Sequence, residues 1–287
     1  MSAAETAPAA RRDRAGDPLS LRMLRSEVRL VVSRRRNQMG LLVLASVPVL
    51  LAVAVRLSSP QAGEGPDFLS SITSNGLFVP LAALTVELPL FLPLAMAMLS
   101  GDAVAGEANL GTLRYLLVVP VSRVRLLAVK YASLCIGAVI GAATVAVAGA
   151  AIGIALFGAG PLTTLSGTQI PFASGVWRLV LVTLVVAAHL AALAAVGLFI
   201  STLTEQPIAA TVALTIVTLV MWILDGVPQL DWLHPWLLVH AWPTFADLLR
   251  DPPFWDGVLR SLGVDAAYAV VFWLLAWARF AGKDVTS

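Results

Sequence analysis

Six apolar runs, at about 39–57, 77–99, 126–157, 176–203, 207–224 and 258–281, alternate with polar stretches along the chain. A helix needs roughly 20 apolar residues to cross a hydrocarbon core. The runs are too long and too uniformly apolar for barrel strands, which alternate residue by residue, so the pattern predicts helices. The third run would be about 48 Å long at 1.5 Å per residue. That exceeds a core of about 30 Å, so this span is expected to tilt or to project beyond the membrane.

The polar stretches differ from one another. Residues 1–18 contain Ala, Arg and Pro without an apolar period and are expected to form a disordered tail. Leu21, Leu24, Val28 and Val31 then recur at helical spacing behind Ser20, a possible cap, with Arg22, Arg25, Arg29 and Arg36 on other faces. This suits an amphipathic helix lying in the membrane interface, although a plain stop-transfer flank has similar chemistry. Residues 101–130 form a polar, Arg-bearing island between the second and third runs. Here Glu107 is expected near a helix start, Leu110, Leu113, Leu116 and Leu117 are its apolar members, Pro120 is a stop, and Ser122 can cap the next span. The segment 225–257 carries four of the eight tryptophans and is broken by five prolines, which predicts short interfacial or re-entrant helices. No repeat and no second domain is evident, so residues 19–287 are read as one six-helix domain.

Composition agrees with this pattern. The 287 residues are 59% hydrophobic and only 13% charged, against about 25% charged in soluble domains. The expectation is an all-α, multi-pass protein of the cell membrane. Its sidedness follows from the basic residues. With the N-terminus inside, fifteen Lys and Arg fall on the cytoplasmic side, among them Arg114, Arg123, Arg125, Lys130, Arg279 and Lys283, and only Arg56, Arg178, Arg250 and Arg260 fall outside. Both termini are therefore expected in the cytoplasm. The net charge of +2 hides this asymmetry, and no nucleic-acid partner is inferred from it. The first run begins after nine arginines and is long enough to span, so it is expected to act as its own membrane signal.

Catalytic chemistry finds little support. The only Gly-Lys pair, Gly282–Lys283, is followed by Asp284 and lacks the preceding glycine of a phosphate-binding loop. The three histidines, His189, His234 and His240, form no HExxH pattern and no pair one helical turn apart, and no GxSxG elbow is present. The single cysteine, Cys135, excludes an intramolecular disulfide and a Cys-based metal site. No catalytic, cofactor or metal residue is assigned.

Glu87 lies in the second run near Pro80, Pro89 and Pro93. It reads either as a cavity residue or as a partly solvated group near the outer boundary. His189 is either a hydrogen-bonded member of the bundle or a relay. Gly137, Gly141, Gly149 and Gly153 place small residues at four-residue spacing, which serves packing within the chain or a seam between two chains.

Three stretches resemble the ABC-type-2 exporter permeases, the transmembrane subunits of ABC transporters. Gly106-Glu107, Gly111-Thr112-Leu113-Arg114, Pro120-Val121-Ser122-Arg123 and Lys130 look like that family's signature between its second and third spans. Residues 197–204 with Ala209, and 276–280 with 283–287, match more weakly its link between spans four and five and its ending. The resemblance implies six spans, an N-terminal interface helix and a cytoplasmic coupling helix. It implies a second permease, identical or related, and a cytoplasmic ATP-binding subunit that holds the ATP and Mg; membrane lipids surround the assembly. Glu107, Gly111, Thr112, Leu113 and Arg114 would contact the ATPase, and Glu87 and His189 are the polar candidates for the substrate cavity. The cargo implied is a hydrophobic or amphipathic molecule such as a drug, antibiotic or lipid. Alternatives are a related permease for ion efflux or for metalloenzyme or cytochrome maturation, and a membrane scaffold that transports nothing.

Overall fold

The computed structural model describes residues 21–58, 75–111 and 122–282. The N-terminal tail, Thr112, Leu113, Arg114 and the last five residues lie outside the described residues. The described chain is mostly helical. Helix α1 (Leu21–Ser33) leads through a break at Arg34 into α2 (Arg35–Ser58). The last carbonyls of α1 have no partner within their own helix. Two side chains from α2 supply one: Asn37 Nδ2 donates to Val31 O at 2.7 Å and Gln38 Nε2 to Val32 O at 3.2 Å. No residue of α1 is fully buried, and the helix lies against the long helix α5 (Arg123–Phe157).

The second apolar run is not one helix. It is divided into α3 (Phe78–Glu87) and α4 (Phe91–Asn109), bent by 60°. Pro89 sits in the break, where it has no N–H to give the ladder and its ring crowds the preceding turn. Pro93 falls in the first turn of α4, where a missing N–H costs no helical bond. Helix α4 continues well past the apolar run, to Asn109, and Gly111 (φ +67°) turns the chain out of it.

Ser122 caps α5 as expected, its hydroxyl accepting from Arg125 N at 3.4 Å. At its far end α5 stops at Gly158 (φ +80°). The connection to the next helix then forms a two-stranded antiparallel hairpin, β1 (Leu162–Thr163) with β2 (Gln169–Ile170), in the register Leu162↔Ile170. Three helices complete the bundle: α6 (Phe172–Leu203), α7 (Pro207–Asp225) and α8 (Trp255–Ala281). Between α7 and α8 the expected short helices are three 3-10 segments (Pro228–Leu230, His234–Trp236 and Leu238–Leu249), the last of which carries the wholly buried Trp242.

Helix α6 is the most buried of the long helices and packs on α4, α5 and α8. Small residues permit the approach: a Cβ on Gly197 would stand 2.0 Å from Ser100 Oγ of α4, and one on Gly101 would stand 2.7 Å from Thr211 Oγ1 of α7. Five helices, α2, α5, α6, α7 and α8, are long and apolar enough to cross a membrane, and the bent pair α3–α4 passes the same test taken together.

Candidate functional site

Charge gathers at the end of the bundle where α1 meets α2 and α4 meets α5. Asp102 of α4 receives Arg34 Nη1 at 2.5 Å and Arg36 Nη2 at 2.6 Å. Further along α4, Glu107 meets Lys130 Nζ of α5 at 2.5 Å, and the same ammonium stands 3.7 Å from Glu27 of α1. The Lys130 side chain is only 3% exposed. A cation held so far from water requires carboxylates beside it. The cluster supplies three acids against three bases, and it ties α1, α2, α4 and α5 into one unit.

Glu107 therefore corrects one expectation. It does not open a helix; it stands in the last turn of α4, where the negative end of the helix dipole disfavours an acid. Lys130 offsets that penalty. The run-length reading ended the span near residue 99 because polar residues begin there. The helix continues because neighbouring helices satisfy them. Ser201 Oγ of α6 reaches into the α4 backbone, donating to Gly101 O at 2.8 Å and accepting from Val104 N at 3.1 Å and Ala105 N at 2.9 Å. A hydroxyl inserted in the ladder couples two helices through main-chain atoms. Arg123 is similarly engaged: its Nη1 donates to Phe280 O at 3.1 Å and Ala281 O at 2.8 Å, satisfying carbonyls at the C-terminal end of α8.

The two proposed cavity residues are not on an open surface. Glu87 ends α3 at the bend and is fully buried, with neither carboxylate oxygen hydrogen-bonded among the described residues. His189 is also fully buried, and its Nδ1 lies 2.7 Å from Oδ2 of Asp265 on α8. Asp265 was missed in the sequence, although an acid inside the sixth apolar run was signal enough. A pocket near α1, α2, α4 and α5 is lined by Leu41, Leu44, Leu92, Met96, Ile140 and Leu190 with Arg36 and Asn37 as its polar members, and includes neither Glu87 nor His189.

The glycines of α5 divide. A Cβ on Gly153 would stand 2.1 Å from Gly76 O, and one on Gly149 would stand 2.7 Å from Pro80 Cα, so both face the start of α3 at backbone contact. Gly137 faces only the Leu99 side chain, and Gly141 meets Leu44 at 4.0 Å.

The opposite end, marked by the hairpin, is held differently. Arg178 of α6, 8% exposed, donates to Leu248 O at 3.3 Å, to Arg250 O, and to Asp251 Oδ1 at 2.8 Å. The hairpin joins it through Leu165 N to Leu249 O at 2.9 Å and Ser166 Oγ accepting from Asp251 N at 3.1 Å. Here too the fold brings His234 and His240 beside Asp225. Nothing in the sequence hints at this, because the three residues follow no ligand spacing.

The architecture is that of a helical, membrane-embedded protein. The chain belongs to a family described as a protein of unknown function (DUF2705), whose model matches residues 49–286. No curated protein matches it.

Proposed function

We propose that this chain is the permease subunit of an ATP-driven exporter, and that a separate cytoplasmic subunit hydrolyses the ATP. The observation that carries the reading is the charge network at the base of the island. Glu107 and Lys130 flank the segment whose sequence resembles the exporter signature, and Lys130 joins the two flanks, α4 and α5, to Glu27 of α1. A push on Thr112, Leu113 and Arg114 would thus be passed to α1, α4 and α5 together. Gly111 turns the chain toward the ATPase, while Glu107 acts inside the permease as the lever's anchor. Ser201 would carry the displacement on to α6, through its bonds to the α4 backbone.

In this reading the bent pair counts as one of six spans, the island end faces the cytoplasm, and α1 lies in the interface. The exposed apolar faces of α2, α7 and α8 are covered by lipid and by a second permease. The cargo is a hydrophobic or amphipathic molecule. Glu87, buried at a proline break without a hydrogen bond among the described residues, fits a residue that meets the cargo only when the bundle opens.

The test is co-purification in mild detergent with an ATP-binding subunit encoded beside this chain. The double variant Leu113→Asp/Arg114→Glu is expected to lose the ATPase while the permease still accumulates in the membrane. An ATPase that stays bound to this variant, or that never binds the native chain, sinks the reading. Glu87→Gln sharpens it further. Transport by that variant is expected to fall, while Glu87→Leu, which removes the buried polar group altogether, is expected to raise the thermal unfolding midpoint. Unchanged transport would remove Glu87 from the cargo path.

A further inference from the structure

Asp225 closes α7, His234 opens one 3-10 turn, and His240 lies in the next 3-10 segment. One ligand atom from each lies within 4.8 Å of the others. His240 Nδ1 is 2.7 Å from Asp225 Oδ1, and the two imidazole rings stack with centroids 5.7 Å apart and planes 30° from parallel. The side chains of Asp225 and His234 are 18% and 15% exposed, while that of His240 is 49% exposed and free to adjust.

The orientation of His234 points to a ligand. Its Nε2 is 3.2 Å from Val227 O. A carbonyl can only accept, so Nε2 carries the proton and Nδ1 is left with its lone pair. This is how a protein fixes the tautomer of a metal-binding imidazole: the far nitrogen donates to a backbone carbonyl and the near one coordinates. Nδ1 of His234 also lies 3.6 Å from Oδ1 of Asp231, an exposed carboxylate that could take a further position.

We propose that Asp225, His234 and His240 form a site for a divalent transition-metal ion, with Zn2+ as the natural occupant, which staples the segment after α7 to the end of that helix. Two imidazole nitrogens and a carboxylate oxygen suit Zn2+ and not Mg2+ or Ca2+, which want oxygen donors. Tetrahedral Zn2+ with bonds of about 2.0–2.1 Å spaces its donors about 3.3 Å apart. The 2.7 Å contact would open slightly and the three donors, already within 4.8 Å of one another, would draw to that spacing by side-chain rotation. Water or Asp231 would complete the shell. The ion would join Asp225 at the end of α7 to the segment that buries Trp242, so its binding would stiffen this end of the bundle. The proposal does not depend on the exporter reading and holds for any function of the chain.

The experiment uses the full chain in detergent, with its affinity tag removed and its metals stripped. Zn2+ is titrated by calorimetry and thermal unfolding is followed in parallel, with Mg2+ and Ca2+ as controls. The expected result is saturable binding of one equivalent of Zn2+, a raised unfolding midpoint, and no response to Mg2+ or Ca2+. Co2+ in place of Zn2+ is expected to give the intense visible absorption of a low-coordinate site. His234→Ala should weaken Zn2+ binding by at least about tenfold, as loss of a ligand or of its orienting partner does. His240→Gln, at the half-exposed position, carries the same test if His234→Ala does not fold. Absence of saturable Zn2+ binding by the native chain overturns the proposal. So does full affinity retained in a folded His240→Gln variant, which would place the ion elsewhere.

Discussion

The two ends of this bundle are held by different physics. At the island end, charged side chains from four helices neutralise one another, with Lys130 between Glu107 and Glu27, and Asp102 between Arg34 and Arg36. At the hairpin end the main cation, Arg178, spends two of its bonds on backbone carbonyls, and Trp242 and Phe245 fill the space beneath. Side-chain ion pairs can exchange partners without unfolding a helix. Bonds to backbone carbonyls cannot shift unless the segment itself moves. The charge cluster of the first end is therefore suited to receive a displacement, which Ser201 and Arg123 hold to α6 and α8 through main-chain bonds, and the second end to resist one until the whole segment 226–254 swings.

The strongest way to break this contrast is at Lys130. Lys130→Met removes the ammonium that two carboxylates of different helices share, and breaking one side of a buried pair costs about 3–5 kcal/mol. Denaturant unfolding in detergent should show a loss of that size, with part of it recovered in Lys130→Met/Glu107→Gln, where the charge on each side is removed together. A single-variant loss under about 1 kcal/mol, typical of surface pairs, would mean that the cluster is solvated and not a structural joint.

Arg178 is the corresponding residue at the hairpin end. Arg178→Lys keeps the charge but loses the planar fork that reaches two carbonyls and Asp251 at once. The expected cost is about 2–3 kcal/mol, the worth of one or two charge-assisted bonds. It should be local: hydrogen exchange is expected to quicken over 238–251 and the hairpin, and to stay unchanged at the island end. Quickening spread evenly along the bundle would show that the two ends are not independent.

How much of this was legible in the sequence depends on whether the signal was local. The long apolar runs marked the spans because the bilayer's thickness is written into run length. Ser122 could be read as a cap because capping is settled within three residues. The end of α4 could not be read, because its polar groups are satisfied from other elements: Asp102 by Arg34 and Arg36, Glu107 by Lys130, and the main chain at Gly101 by Ser201 of α6. The partners of His189 and Lys130 were hidden for the same reason. Asp265 and Glu27 reach them through packing of helices whose order in space no periodicity reports. Pro89 announced a break in the second run, but not the angle, which is set by what α3 and α4 pack against.

The glycines of α5 carry the comparison along a single helix, with the smallest effects. Gly153→Ala should cost about 1–3 kcal/mol, the usual range for overpacking. The new methyl would meet a carbonyl oxygen at 2.1 Å, and backbone cannot rotate aside as a side chain can. Gly141→Ala should do the reverse and gain about 0.5–1 kcal/mol, because it meets only Leu44 at 4.0 Å and reduces the freedom of the unfolded chain. Thermal unfolding of the two variants side by side decides the point. Opposite signs would mean that four-residue glycine spacing serves helix contact only where α5 reaches α3, near the hairpin end. A loss at both positions would mean that Gly141 packs against something the isolated chain does not contain, and a second copy of the chain would then be the first partner to test by crosslinking at that position.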